Sequence, residues 1–395
     1  MTTAKGRLLV ATTSAVTPWG IMRGQLAHLR RLGWDVVLVA SPGPLLDATA
    51  VREDVRAVPV PMEREVDPRA DVASLRAMLR VFRSERPDVS MVSTPKAGLL
   101  GGLAAWVTRT PVRVYLLRGL RLETTGGPTR ALLWVLEWIA LHVATDVLVV
   151  SPSLLAETRR LRLLGRRRGV VLGRGASNGV DLERLAPTPE RQTAATALRA
   201  SLGLPDDAFV FGFVGRLTAD KGAQELVEAF LDLARTHPDV WLLVVGPSES
   251  DAATAGAVRG LVAHPRVRAT GWLDDPADHV HVLDALVLPT YREGFPNVVI
   301  EASAAGVAVV TTTATGAVDS VVDGETGVLV PPRDVPRLRA AMATLADDPE
   351  RTRALGRAGR ALVEQHFSDR VVWAATSAFL DEQVARRTRG RRRGA

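Results

Sequence analysis

Short, unbroken apolar runs alternate along the chain with longer segments of helical periodicity. In the first half the runs are Leu8–Thr12, Val36–Ala40, Val55–Val60, Val89–Ser93, Val112–Leu117 and Val147–Ser151. They are continuous rather than alternating, as strands covered on both faces should be. Between them, Ile21–Leu32 and Val72–Ser84 carry apolar residues at i, i+3, i+4 and i+7, which predicts amphipathic helices. The second half repeats the arrangement, with strands predicted at Phe209–Val214, Trp241–Val245, Val267–Thr270, Ala285–Leu288 and Val307–Thr312. Helices are predicted there at Lys221–Arg235, Asn297–Ala305 and Pro336–Ala346. Strand–helix repetition of this kind implies α/β architecture with parallel, doubly wound sheets. The break falls between Asp181 and Pro205, a stretch holding Pro187, Pro189 and the polar run RQTAATALRASLGLP. A last amphipathic segment, Asp369–Val384, follows a complete second domain and could return to cover the first.

A chain of 395 residues suits two domains. The expected division is a Rossmann-like domain at 1–182, a linker at 183–205, a second Rossmann-like domain at 206–367, a returning helix at 368–385 and a basic, disordered tail at 386–395.

Composition narrows the class. Cysteine is absent, which excludes disulfides and thiolate metal sites. No stretch reaches the ~18 apolar residues of a bilayer span, and the nearest, 131–141, is interrupted by Glu137. The opening MTTAKGRLLVATTSAV reads as a first strand rather than a signal peptide, so a cytoplasmic protein is expected. Of the net charge of +7, six arginines between Arg386 and Arg393 account for 6, leaving 7 − 6 = +1 for the body. The basicity therefore belongs to the tail and to a cluster at Arg166, Arg167 and Arg168. Neither interleaves aromatics as a nucleic-acid stacking platform does, so no nucleic-acid partner is expected. The tail reads either as a solvated end or as a peripheral contact with anionic lipid, worth about 1 kcal/mol per basic residue. A segment with Trp134 and Trp138 among Leu132, Leu133, Leu136 and Leu141 reads as a core helix or, with a lipid acceptor, as a membrane-facing one.

Candidate chemistry sits in the loops after strands. Open α/β sheets bind ligands beyond the carboxyl ends of their strands, and two facing domains would hold one in the cleft between them. Gly215-Arg216-Leu217-Thr218-Ala219-Asp220-Lys221-Gly222 follows one predicted strand and opens a helix. Glycines permit close backbone approach, the helix start offers unpaired N–H groups, and Arg216 and Lys221 add two cations. The combination suits a diphosphate, and equally fits an ordinary strand–helix turn with exposed charges. The second loop, Tyr291-Arg292-Glu293-Gly294-Phe295-Pro296-Asn297, runs into a helix carrying Glu301, eight residues after Glu293. Glu301 lies between apolar Ile300 and Ala302 and needs hydrogen-bond partners. Vicinal hydroxyls of a ligand would supply them; so would a buried cap or ion pair. The histidines show no metal-ligand spacing, and Asp274-Asp275 reads as a turn or cap, so no metal site is expected.

The glutamate pair behind EGFPNVVIE resembles the signature of retaining GT-B glycosyltransferases, specifically glycosyltransferase family 4. GRLTADKG is similar to that family's phosphate loop, and Ser177-Asn178-Gly179-Val180-Asp181 to the NGVD closing its first domain. The resemblance spans Gly20 to about Phe367 and implies the GT-B fold, two facing Rossmann-like domains with an interdomain cleft. It implies further that Arg216 and Lys221, beside Gly215, bind a donor diphosphate and that Glu301 holds ribose hydroxyls. Glu293 would contact the donor sugar, backbone amides at Gly294, Phe295, Pro296 and Asn297 would support sugar and phosphate, and the base would lie near Arg268–Trp272, with Gly271 among the donor-binding residues. Glu293, Arg216 and Lys221 form the expected catalytic set, with a UDP-sugar as donor and no metal or other cofactor required. In the first domain, Gly20 occupies the place of the family's glycine-rich acceptor loop, with only one glycine. Ser93-Thr94-Pro95-Lys96-Ala97-Gly98-Leu99-Leu100-Gly101 resembles a segment of the branch that builds polysaccharides and lipid-linked oligosaccharides. Arg118 stands where many members carry histidine. Gly20, Lys96 and Arg118 are thus the expected acceptor-binding residues, for a lipid-linked saccharide or a small-molecule acceptor. A nucleotide-sugar epimerase, which would release UDP without a glycosylated acceptor, and a noncatalytic nucleotide-sugar-binding protein are the rival readings.

Overall fold

In the computed structural model, which describes residues 5–63, 67–248 and 255–393, the apolar runs form two all-parallel sheets. The first contains β1 (Gly6–Ala11), β2 (Trp34–Ala40), β3 (Arg56–Pro59), β4 (Val89–Ser93), β5 (Val112–Leu117), β6 (Asp146–Val149) and β7 (Gly169–Val170), in the order β3-β2-β1-β4-β5-β6-β7. The second contains β8 (Phe209–Val214), β9 (Val240–Val245), β10 (Val267–Gly271), β11 (Ala285–Leu288), β12 (Ala308–Thr312) and β13 (Val328–Val330), in the order β10-β9-β8-β11-β12-β13. Leu38, Val39, Phe211, Phe213, Leu286 and Val309 are fully sealed, as helices on both faces require. The strand order reverses between β1 and β4 and again between β8 and β11. Those switch points are where such sheets open a crevice for ligands.

The chain divides into two units, residues 1–178 with everything from Arg370 onward, and residues 179–369. Three sequence expectations change. The 183–205 segment is not a plain linker, because Pro189–Ser201 forms a helix whose N-cap Thr188 accepts from Arg191 N. Arg199 Nη2 on that helix donates to Asp284 Oδ2 at 2.6 Å and to Val282 O at 2.8 Å, tying it to the second unit. The helix expected over 21–32 is broken into a π-helical turn, Thr17–Ile21, and a short helix, Gln25–Arg31. Between them Gly24 takes φ 77°, and a Cβ there would stand 2.6 Å from the Trp373 ring.

The third change concerns the carboxyl terminus. Asp369–Arg393 is one helix, so the segment expected as a disordered tail is helical through Arg393. Straight-chain arginines are good helix formers, and a helix already nucleated by packing extends cheaply. That packing is in the first unit, where Trp373 Nε1 donates to Asn178 Oδ1 at 2.9 Å and Lys5 Nζ meets Asp381 at 2.7 Å. Among the described residues no helix is long and apolar enough to cross a membrane.

Candidate functional site

The second unit brings two loops together at its switch point. After β8 the chain turns at Gly215, whose N–H donates to Val245 O at 2.8 Å, and passes through the 3-10 turn Ala219–Lys221 into the helix Ala223–Thr236. After β11 it runs through Thr290–Pro296 into the helix Asn297–Ala304. Because β8 and β11 are neighbours, these loops meet. Asp220 O accepts from Tyr291 N at 2.9 Å and from Thr290 Oγ1 at 3.1 Å. Its carboxylate accepts from Thr218 Oγ1 at 2.6 Å and pairs with Arg292 Nη2 at 3.0 Å. Burial alone would raise the Asp220 carboxyl. The Thr218 hydrogen bond and the charges of Arg292, Lys221 and Arg216 outweigh it and hold the group below its ordinary value. Lys221 Nζ pairs with Glu293 Oε1, and both side chains are mostly buried.

A third loop closes on Glu293 from β12. Glu293 N donates to Thr315 O at 2.7 Å. Gly316 follows with φ 76°; a Cβ there would sit 2.5 Å from both Glu293 O and Gly294 O, so only glycine permits the approach. Gly294, Phe295 and Pro296 are buried, the Phe295 ring lying 5.2 Å from that of Phe367. Asn297 opens the helix with its Oδ1 buried and without a hydrogen-bond partner. Gly271 ends β10, its carbonyl accepting from Gly246 N at 2.9 Å, with open space on its Cβ side.

Glu301 finds a partner that sequence reasoning missed. Asp181 Oδ1 accepts from Glu183 N at 3.0 Å and Arg184 N at 2.9 Å, a turn that presents the Arg184 guanidinium. Arg184 pairs with Asp275 and lies 4.0 Å from Glu301 Oε1. The aspartate two and three residues before the bonded amides was the available signal for that turn; the long-range pairing had none. Asp220–Arg292 and Thr315–Gly316 were likewise not singled out, since their roles arise only from strand adjacency.

The expected first-unit residues are not brought into one cluster by any described contact. Gly20 lies exposed in the π-helical turn. Lys96, at the start of the helix Pro95–Val107, pairs with Asp71 at 2.6 Å. Its neighbour Thr94 takes φ 71°, a strained value for a β-branched residue, fixed by a 2.7 Å hydrogen bond between its hydroxyl and that of Thr13. Arg118, just past β5, donates Nη1 to Ser177 O at 3.1 Å, while its Nε and Nη2 are buried without partners. Burial pulls its guanidinium down to about 10, still charged at neutral pH. Among the described residues no group of three or more His, Asp or Glu converges as a metal site.

Comparison with known proteins identifies the family and the fold. Residues 195–362 match the family described as glycosyl transferases group 1, and residues 19–175 match the glycosyl transferase 4-like domain. The chain is 36% identical over 355 residues to the capsular polysaccharide biosynthesis glycosyltransferase CapM of Staphylococcus aureus, covering 89% of this chain and 91% of that one. It is 24% identical over 348 residues, 83% of this chain and 85% of the other, to the UDP-Gal:alpha-D-GlcNAc-diphosphoundecaprenol alpha-1,3-galactosyltransferase of Escherichia coli. Among solved structures, Anabaena Alr3699/HepE in complex with UDP and glucose superposes with a TM-score of 0.78 at 20% identity, covering 95% of this chain and 100% of that one. Sucrose-phosphate synthase of Thermosynechococcus elongatus gives a TM-score of 0.78 at 21% identity over 96% and 100%. The chain belongs to the group 1 glycosyltransferases, with the paired Rossmann-like domains of the GT-B class.

Proposed function

We propose that this glycosyltransferase moves a hexose or N-acetylhexosamine from a UDP-sugar to a hydroxyl acceptor, with retention at the anomeric carbon. The observation that carries the reading is the Lys221–Glu293 pair joining the two strand-end loops of the second unit. It sets a cation suited to a phosphate beside a carboxylate suited to sugar hydroxyls, the order in which a nucleotide sugar presents them. In this reading Arg216, Lys221 and the N–H groups of the loop take the diphosphate. Glu301 takes the ribose hydroxyls, exchanging the distant Arg184 for them, and the base lies along Gly271. Glu293 and the 294–297 backbone hold the sugar, where the unpartnered Asn297 Oδ1 gives it one acceptor more. The bond from the anomeric carbon to the phosphate oxygen breaks and a bond to the acceptor oxygen forms on the same face. The acceptor proton passes to the departing diphosphate. Fixed cations aimed at that developing charge supply the main rate enhancement, and they meet it without a resident metal. The name of the diphosphoundecaprenol galactosyltransferase supports a lipid-linked saccharide as acceptor, and that of CapM a role in polysaccharide assembly; in this reading the first unit holds the acceptor through Gly20, Lys96 and Arg118.

Calorimetric titration with UDP, GDP and NAD, for the wild type and for Arg216→Ala and Glu301→Ala, tests the donor site. UDP affinity is expected to fall by about tenfold or more in each variant, the scale of a lost charge-assisted hydrogen bond. NAD binding, or UDP binding indifferent to both changes, overturns the assignment. Isomerised UDP-sugar with no glycosylated acceptor would instead mark an epimerase.

A further inference from the structure

The loops that follow β8 and β11 are pressed together backbone to backbone. Gly222, where the first loop enters its helix, takes φ 74°, and a Cβ there would stand 2.1 Å from Pro289 O, just past β11. From that point the second loop is anchored on both sides. Asp220 O accepts from Thr290 Oγ1 and from Tyr291 N. Thr290 O in turn accepts from Thr312 Oγ1 of β12 at 2.6 Å. Tyr291 Oη donates to Glu225 Oε1 at 2.5 Å, and the Arg333 guanidinium lies over its ring, 4.4 Å from the centre. Beyond these anchors, Glu293 N is fixed to Thr315 O at 2.7 Å.

Arg292 stands between the two sets of anchors. Its Nη2 reaches back to Asp220 Oδ2 at 3.0 Å, while Asp220 Oδ1 accepts from Thr218 Oγ1. The next residue of each loop repeats the crossing, Lys221 with Glu293. Two ion pairs therefore join the same two loops on consecutive residues, 220 with 292 and 221 with 293. One pair alone lets a loop swivel about it, and two neighbouring pairs fix both separation and register. The outer pair is sheltered, with side-chain exposures of 21% for Arg292 and 27% for Asp220, so water screens it less than it would a surface pair. Burial raises the Asp220 carboxyl, and the Thr218 hydroxyl together with Arg292, Lys221 and Arg216 outweighs that effect, so the carboxylate stays charged among three cations.

We propose that Asp220 and Arg292 are positioning residues for the transfer reaction: their pair fixes the register of the two loops and so sets the Glu293 carboxylate against Lys221, where the sugar of the donor meets its diphosphate. The inference rests on the donor assignment proposed above. Neither residue acts by touching the donor. Arg216, Lys221 and Glu301 still hold UDP when the outer pair is broken, so the loss falls on the geometry of the reacting groups. That geometry is steep, since a misplacement of about 1 Å costs on the order of 10²-fold in rate.

The experiment uses the whole chain and measures UDP release from UDP-glucose, UDP-galactose and their N-acetylhexosamine counterparts, beside calorimetric titration with UDP. Rates are expressed per UDP-binding site, so that unfolded protein does not count as lost rate. Asp220→Asn keeps an acceptor for Thr218 and removes the charge; Arg292→Gln removes the other partner. Each should lower kcat by about 10²-fold while the UDP dissociation constant stays within about threefold of the wild type. The double variant should be no slower than the slower single by more than about threefold, because both changes break one contact. Asp220→Glu, which keeps the charge one methylene further out, should recover about tenfold of the Asp220→Asn loss. Unchanged kcat in either single variant overturns the proposal, as do losses that multiply in the double variant. So does a UDP affinity that falls about tenfold or more along with the rate, which would put Arg292 on the diphosphate itself or mark a collapsed loop. Failure of the donor reading looks different: a wild type that does not bind UDP, or that binds it equally well after Arg216→Ala, removes the donor assignment and this inference with it.

Discussion

The strand-end loops of the two units differ in how completely their charges are matched. In the second unit, Asp220, Arg292, Lys221 and Glu293 pair across adjacent loops, and Arg184 stands between Asp275 and Glu301. In the first, Lys96 pairs with Asp71, and Arg118 keeps two buried nitrogens unmatched. A nucleotide diphosphate demands cations in fixed places, and partly buried cations stay in place only when neighbouring carboxylates hold them. An unmatched buried guanidinium is costly, and it lowers that cost by meeting an anion brought by a ligand. The comparison sets a matched charge network in the second unit against a buried guanidinium with two unmatched nitrogens in the first.

The sharpest way to break that comparison is Glu293→Gln. It keeps the shape of the loop and removes the charge paired with Lys221. Turnover should fall by about 10²–10³-fold, the scale of losing one transition-state contact, with UDP affinity nearly unchanged. Steady-state rates beside calorimetry decide it, and unchanged turnover would remove Glu293 from the reacting centre.

The next effect separates the units by pH. In the first unit the buried Glu137 accepts from Tyr115 Oη at 2.7 Å, and burial raises its carboxyl to about 7 although that hydrogen bond opposes the rise. Its folded value lies above its unfolded one. The stability it contributes is therefore full below the unfolded value and is lost as pH rises through about 7. Asp220 in the second unit is displaced downward, so its contribution is present above its unfolded value and lost as pH falls through the folded one. Between pH 5 and pH 8 the first unit should lose on the order of 2–3 kcal/mol through Glu137, and Glu137→Gln should flatten that slope. Melting across this range with each unit's tryptophans as probes reads it; an equal slope in the variant would refute the assignment.

The smallest effect is at Arg118. Arg118→Met should raise the acceptor KM about tenfold, the loss of one charged hydrogen bond, while leaving UDP affinity alone. The melting temperature should hold or rise, because a poorly matched buried charge is removed. A fall in UDP affinity instead would place Arg118 on the donor.

Local features were legible along the chain. Phe209–Val214 followed by Gly215 and a helix start reads as a ligand-facing loop because a strand, a turn and a helix end are all defined within a dozen residues. The same holds for Glu293 and Glu301, whose eight-residue separation spans one loop and the first turns of one helix. The helix in Pro189–Ser201 was hidden by its polar composition; its apolar contact is small, only Ala195 being buried. The arginine-rich end was read by its charge, which says nothing about whether a preceding helix will carry it onward.

By itself, then, the sequence determined the two α/β halves, the strands buried on both faces and the glycine-bearing loops that follow β8 and β11. Each rests on periodicity or turn chemistry acting over a few residues. Tertiary structure alone decided that Lys221 meets Glu293, that Arg184 stands by Glu301 and that Asp381 on the carboxyl-terminal helix meets Lys5. Those pairs lie 72, 117 and 376 residues apart, counting Lys5 as the partner of Asp381. Only the lateral order of strands in a sheet brings such distant residues within reach, and that order is set by the packing of the whole unit.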